Sequence, residues 1–333
     1  MSSDSSPPAP ARPPQGPDPR RPVDLTQLAH RRVPDAETFR GDERARLERR
    51  LRSGEVRRVR RGVFVAPVPT DAPALARQAE VLAEMRGVAN RLTTPFWFSH
   101  VNAALLWGCW TWRLAAEVHV TQLGHPKVRS DDRVLRRHWT DLPVRDRCTL
   151  DGLPVTGLER TVVDCLRGLR EPQGIVIADS ALRIGARAEV LETIVEESAG
   201  KRGIVRARRV LAAADGRSES PGESLVRWFA VDAGLPALDV AIPVETWLGA
   251  FWLDLGWPDL RIGIEFDGAV KYSGGRYGEP GERLLAEKRR QDALVEAGWT
   301  IIRVTWADLS DPERLVARLL AARERSRGRR SPR

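Results

Sequence analysis

The chain has 333 residues and a formal charge of +9, from 54 Lys and Arg against 45 Asp and Glu, a length that at ~100–200 residues per domain predicts two or three domains. The basic balance favours a polyanionic partner, nucleic acid first, although only four of the 54 cations are lysine. Three isolated cysteines (Cys109, Cys148, Cys165) without a CxxC exclude a disulfide framework or thiolate zinc finger; no apolar run approaches the ~18 residues of a membrane span and the start lacks an apolar signal core, so a reducing cytoplasm is the expected compartment.

Residues 1–22 hold eight prolines and almost no large apolar side chain, which predicts a disordered tail. A small basic module is expected over 23–68. Within it Asp24–Arg32 reads as a helix, and residues 41–54 as a second, with Asp42 at its start, Leu47 and Leu51 at i, i+4, and Gly54 at its end. The stretch Val56–Val65 reads as a hairpin with an arginine-rich tip, so the order suggests a winged helix-turn-helix. Residues 44–61 carry nine Arg against two Glu. Arg49, Arg50, Arg52, Arg57, Arg58, Arg60 and Arg61 are the candidate phosphate contacts; a solvated arginine surface docked on a neighbouring domain is the competing reading.

A mixed α/β middle domain is expected over 72–215. Thr156-Gly157-Leu158-Glu159 has the pattern of a capping box opening a helix that Gly168 closes. Trp97, Trp107, Trp110 and Trp112 read as a core wall. His100, His119, His125 and His138 show no ligand spacing and are taken as structural or surface residues.

The strongest chemistry is expected at 218–322, after a linker at 214–219. The pattern is helix (220–233), three strands (241–247, 251–256, 261–267), helix (282–297), strand (299–306) and a last helix from Pro312, followed by a basic tail at 323–333. In the third strand Ile262, Ile264 and Phe266 alternate with Gly263, Glu265 and Asp267. With a turn centred on Pro258-Asp259, Asp254 falls opposite Gly263 and diagonal to Glu265, a pair of acids that suits Mg²⁺ or Mn²⁺. Glu287 and Arg290, three residues apart on the helix, are placed toward this acidic edge. Glu223 is explained equally by a Ser220–Glu223 capping box, Asp267-Gly268 by a turn, and Lys271 by solvation.

Two resemblances add to this reading. RLRSGEVRRVRRGVFVAP, Phe98–Ala104 and Leu153–Asp164 resemble the recurring phrases of the AbiEi family of type IV toxin–antitoxin systems, over most of residues 25–200. That resemblance implies DNA-binding regulation or neutralisation of a nucleotidyltransferase-like toxin. Glu223–Arg227, Asp254, Glu265–Gly268, Lys271, Arg290 and Gly298–Val304 resemble the PD-(D/E)XK nuclease fold, nearest to very-short-patch-repair-like endonucleases, over residues 218–310. It implies an αβββαβ restriction-endonuclease-like domain that cleaves phosphodiesters. Asp254 and Glu265 would be the metal ligands, Glu223 and Asp267 assisting acids, and Lys271 the group that handles charge. The lysine that the family carries two residues after the glutamate is here Asp267. A non-catalytic regulator with a degenerate nuclease domain is the alternative.

Overall fold

The computed structural model describes residues 36–37, 44–60, 63–67, 73–124, 134–268 and 280–330, which form an α/β protein. These residues divide into two compact units, one within Asp24–Gly234 and one within Leu235–Arg333. Among them, no helix is long and apolar enough to cross a membrane.

The first unit begins with β1 (Ala36–Glu37), α1 (Arg44–Arg52), β2 (Arg57–Arg60) and β3 (Val63–Val65). The strands form a small antiparallel sheet in the order β1-β3-β2. Leu47 of α1 closes on Val56 and Phe64, which gives this part a minimal core. The expected hairpin is therefore present. The helix read over Asp24–Arg32, and the hairpin tip at Arg61-Gly62, lie outside the described residues.

The chain continues through α2 (Pro73–Ala89), β4 (Trp97–Phe98), α3 (His100–Leu106), β5 (Val118–Gln122), β6 (Leu135–Trp139), β7 (Arg147–Leu150) and β8 (Leu153–Thr156). The second sheet has the order β6-β5-β4-β8-β7, parallel between β4 and β8 and between β5 and β6. Its apolar face is built by alternation. Val118 and Val120 of β5, Phe98 of β4 and Val155 of β8 pack on Val81, Leu82, Met85 and Val88 of α2. His119 and Thr121, which alternate with those valines, must then point to the other face.

Four helices follow: α4 (Leu158–Gly168), α5 (Glu171–Arg183), α6 (Ala188–Glu197) and α7 (Ile204–Ala212). The helix α4 starts where the sequence places it, but not with a capping box. Gly157 is its N-cap; the Thr156 hydroxyl meets that of Thr161 at 2.7 Å, and Glu159 turns to Arg187. The buried Thr161 hydroxyl out-competes the backbone N–H for Thr156.

The helix α8 (Pro221–Asp232) ends this unit rather than opening the next. Its anchor is Asp179 of α5, whose side chain is fully buried. One Asp179 oxygen accepts from Arg227 of α8 at 3.0 Å and from the Ser218 hydroxyl at 3.1 Å; the other accepts from the Asp215 N–H at 2.8 Å. The stretch read as a linker is thus pinned along its length. Burial pushes the Asp179 carboxyl upward while Arg227 opposes the shift.

The second unit contains β9 (Asp239–Thr246), β10 (Gly249–Trp257), β11 (Ile262–Asp267), α9 (Pro280–Glu296), β12 (Thr300–Thr305) and α10 (Pro312–Arg330). The sheet order is β12-β11-β10-β9, antiparallel except for the parallel β11–β12 pair. Leu294 of α9 covers one face together with Ile242, Val244 and Leu253. Leu315, Leu319 and Ala322 of α10 are buried as well. The basic segment after residue 322 was expected to be a tail. It continues α10 to Arg330, and the Arg323 guanidinium lies 4.9 Å from the Trp257 ring centroid.

Asp179→Ala strands the Arg227 guanidinium in the interior, and is expected to cost about 3–5 kcal/mol of unfolding free energy, read from urea denaturation of the whole chain. A loss under about 1 kcal/mol would show that Asp179 is not the anchor of α8.

Candidate functional site

The acids of the second unit depend on the β10–β11 turn. A 3₁₀ turn at Pro258–Leu260 followed by left-handed Arg261 (φ 51°) joins the strands, so the turn centres one residue later than expected. That moves the register by two. Gly256, not Asp254, faces Gly263, and Leu255 faces Ile264. Both glycines serve close approach: a Cβ at Gly256 would sit 2.1 Å from the Ile262 carbonyl oxygen, and one at Gly263 would sit 2.5 Å from Leu253 Cδ1. Leu253 therefore covers the Gly263 face, whereas Leu255 pairs with Ile264 on the other. Side-chain alternation switches at Asp254, beside Ala241 of β9, which has φ 55°.

At this switch the Asp254 carboxylate turns toward β11, and its Oδ2 accepts the Phe266 N–H at 2.8 Å. Glu265 lies on the α9 face, opposite Arg303 of the parallel strand β12. Its Oε1 accepts from Arg290 of α9, and its Oε2 stands 4.0 Å from Arg303. Glu287 accepts from Arg303 and lies 3.6 Å from Arg290. Arg290 also donates to the Trp252 carbonyl oxygen at 3.3 Å. Although burial works against its charge, the Glu265 hydrogen bond and the charges of Glu265, Glu287 and Asp254 hold the Arg290 guanidinium firmly protonated.

The structure thus joins Glu265, Glu287 and Arg290, adds Arg303 to them, and leaves Asp254 on the neighbouring strand, bonded to the Phe266 N–H and acting on Arg290 through its charge. Asp267 is exposed at the end of β11, and Lys271 lies outside the described residues. Glu223 is in the other unit, where a capping box occupies both carboxylate oxygens: Oε1 accepts from the Ser220 hydroxyl at 2.7 Å and Oε2 from the Glu219 N–H at 2.8 Å.

In the basic module, Arg49, Arg52 and Arg58 are exposed. Arg50 pairs with Glu55 at 3.0 Å and Arg57 with Glu80 of α2 at 2.9 Å. Arg60 ends β2, and Arg61 lies outside the described residues.

A third group escaped the sequence reading. His100, His119 and His138 converge: His119 Nδ1 is 3.0 Å from His138 Nε2, and the His100 and His138 rings stack with centroids 3.8 Å apart. Each of the three offers a ring nitrogen within 4.8 Å of the others. Burial first, then the neighbouring imidazoles and arginines, hold His100 well below its ordinary 6.5. Burial and His138 lower His119 to about 4, against an upward pull from Glu117; burial and Arg136 lower His138. Beneath this group lies a buried ion network, in which Arg160 pairs with Asp164 at 2.9 Å and Asp146 at 3.3 Å. The ligand spacing is not local, because the three rings come from the start of α3 and from two parallel strands. The available signal was that His119 alternates with core valines.

No known protein-family model matches this chain. It is 39% identical over 171 residues to two uncharacterized proteins of Mycobacterium tuberculosis, MT2308 of strain CDC 1551 and Rv2248 of strain H37Rv. Each match takes in 50% of this chain and 60% of the relative, so the chain spans under two thirds of their length. Among solved structures, the RV2827C protein of M. tuberculosis aligns with 66% of this chain and 82% of its own, at 16% identity and a TM-score of 0.34. At that score no fold assignment is drawn from it.

Asp254→Ala leaves the Phe266 N–H without its acceptor and is expected to cost about 1–3 kcal/mol, whereas Asp254→Asn retains an acceptor oxygen and costs less. Thermal denaturation of the two variants separates this backbone role from any role of the charge.

Proposed function

We propose that the chain is a DNA-interacting protein whose C-terminal unit hydrolyses phosphodiesters with a hard divalent ion, Mg²⁺ or Mn²⁺. The observation that carries this reading is that Asp254 and Glu265 stand on the adjacent central strands β10 and β11, Glu265 paired with Arg290 and Asp254 near enough for its charge to act on the same guanidinium. The donor set is all oxygen, which matches a hard ion rather than a soft one. Asp254 and Glu265 would hold the ion, which when bound would polarise a phosphoryl oxygen and lower the pKa of a water.

This chain's own residues supply the rest. Arg290, paired with Glu265, balances the acidic charge and would offer its guanidinium to a phosphate oxygen. Arg303 would do the same from β12. Asp267 extends the acidic row at the open end of β11, and Lys271 follows it in sequence. The αβββαβ resemblance also supports the reading, with the difference that the leading helix α8 packs within the other unit. The exposed Arg49, Arg52 and Arg58 supply a sequence-independent attraction for the DNA backbone, in keeping with a winged-helix module of the AbiEi type.

A second reading is favoured by one specific observation: both oxygens of Glu265 already face arginines. A nuclease-like unit neutralised in this way serves as a scaffold, and the protein then acts as a DNA-binding regulator, with a nucleotidyltransferase-like toxin as its partner. The two readings part in one experiment. Purified full-length protein with Mg²⁺ or Mn²⁺ is expected to nick supercoiled plasmid, and Glu265→Ala to abolish nicking with the fold intact by circular dichroism. Nicking that is unchanged in Glu265→Ala eliminates the site. Absence of nicking in the parent protein, together with no Mg²⁺ heat by calorimetry, selects the regulator.

Reversing Arg49, Arg52 and Arg58 to Glu is expected to weaken DNA binding strongly and to lower the slope of log affinity against log salt by roughly 0.9 per lost phosphate contact. Gel-shift titrations at several salt concentrations measure it.

A further inference from the structure

We infer that His100, His119 and His138 form a binding site for a late first-row divalent metal ion, Zn²⁺ in the first place, in the N-terminal unit and independent of the carboxylate cluster at Glu265. The fold brings three imidazoles together, with a ring nitrogen of each within 4.8 Å of the others. The sheet order β6-β5-β4 sets the three segments side by side. In the parallel β5–β6 register Thr121 faces His138 and His119 faces Arg136, so His119 and His138 share one face, diagonal to each other. His100 follows directly on β4, whose extension is tied to β5 by the Ser99 N–H to the His119 carbonyl oxygen at 3.1 Å. It holds a left-handed backbone with φ 55°, a strained state for a non-glycine residue that persists only where its surroundings enforce it.

The second nitrogen of two of the rings has a polar neighbour. His100 Nδ1 lies 3.0 Å from the Ser99 hydroxyl, which directs Nε2 outward to its neighbours. His119 Nε2 lies 3.7 Å from Glu117 Oε2, which favours a proton on Nε2 and leaves the Nδ1 lone pair for a metal. A small closure of that distance would make Glu117 the carboxylate partner by which ligand rings are oriented and made more basic. The 3.0 Å between His119 Nδ1 and His138 Nε2 is close to the ~3.3 Å edge expected between two nitrogens on a tetrahedral zinc with Zn–N of ~2.0–2.1 Å. All-imidazole donors suit zinc and its neighbours, not magnesium.

Two buried polar atoms adjoin the triad. Among the described residues, the buried Thr121 Oγ1, register partner of His138, and the buried Asn102 Nδ2 have no hydrogen-bond partner. Asn102 belongs to the same shell, since its Oδ1 accepts the His119 N–H at 2.8 Å. A buried polar atom left over in a folded protein calls for a water or ion nearby. Three protein ligands leave a fourth position on the metal for a water or another small donor, the ligand count of catalytic rather than structural zinc.

The test uses untagged full-length protein stripped with a chelator and titrated with Co²⁺, followed by Zn²⁺. The expected result is one Co²⁺ per chain with the intense visible absorption of a four-coordinate nitrogen site, displaced by one Zn²⁺. His119→Ala is expected to weaken binding on the order of 100-fold or more, and Glu117→Gln about 10–100-fold. Should His119→Ala unfold by circular dichroism, the conservative His138→Gln decides instead. Absence of the band in folded parent protein overturns the proposal, as does a band that survives in both histidine variants. A band lost in Asp254→Asn and retained in the histidine variants places the ion in the C-terminal unit, and overturns it as well.

Discussion

A charge removed from water must be met by an opposite charge, and this constraint organises the molecule. Asp146, Asp164 and Asp179 are buried, and each is met by an arginine: Arg160 for the first two, Arg227 for the third. Such pairs add little net stability over an apolar alternative, but they are costly to break, so they fix which elements lie together. Asp179 binds α5, the 215–218 turn and α8 into one body. Arg160 and Arg167 hold the Asp164 carboxylate under the histidine group, against a burial that pushes it upward.

The same rule acts at Glu265, with a different consequence. There the pairing is partial and half open to solvent: Arg290 is 24% exposed and Arg303 43%. The difference between the Asp179 pair and the Glu265 pairs is one of solvent access, not of residue type: the first costs far more to break than the second.

The two clusters of ligand-type side chains differ in chemistry as well as position. One is a set of oxygens next to arginines on a mixed sheet, suited to hard ions and phosphate. The other is a set of neutral imidazoles kept uncharged by burial, in a different compact unit. Their donor types make them separable by the choice of ion alone.

Much of the fold was legible in the sequence. The strands β9 to β12, the helices α4, α8 and α9, and the basic hairpin lie within a few residues of their expected places, because alternation, glycine stops and proline starts are local signals. The approach of Glu287 and Arg290 to Glu265 also follows from helical spacing. Register was not legible. A one-residue change in where the Pro258–Leu260 turn centres shifts the pairing by two, and the switch of faces at Asp254 depends on Ala241 of a neighbouring strand. The capping box at Thr156 failed because Thr161, one helical turn away, offers a better buried partner. The segment after residue 322 looked like a tail because arginine-rich composition does not reveal that Trp257 provides a surface for Arg323.

The histidines mark the boundary most clearly. By itself the sequence determined only that His100, His119 and His138 stand far apart along the chain, with no ligand spacing of a local motif. Only the tertiary structure decided that these rings meet. Their meeting requires β6 to lie beside β5 and β5 beside β4, an order set by how the strands pair across the sheet, which no spacing along the chain encodes.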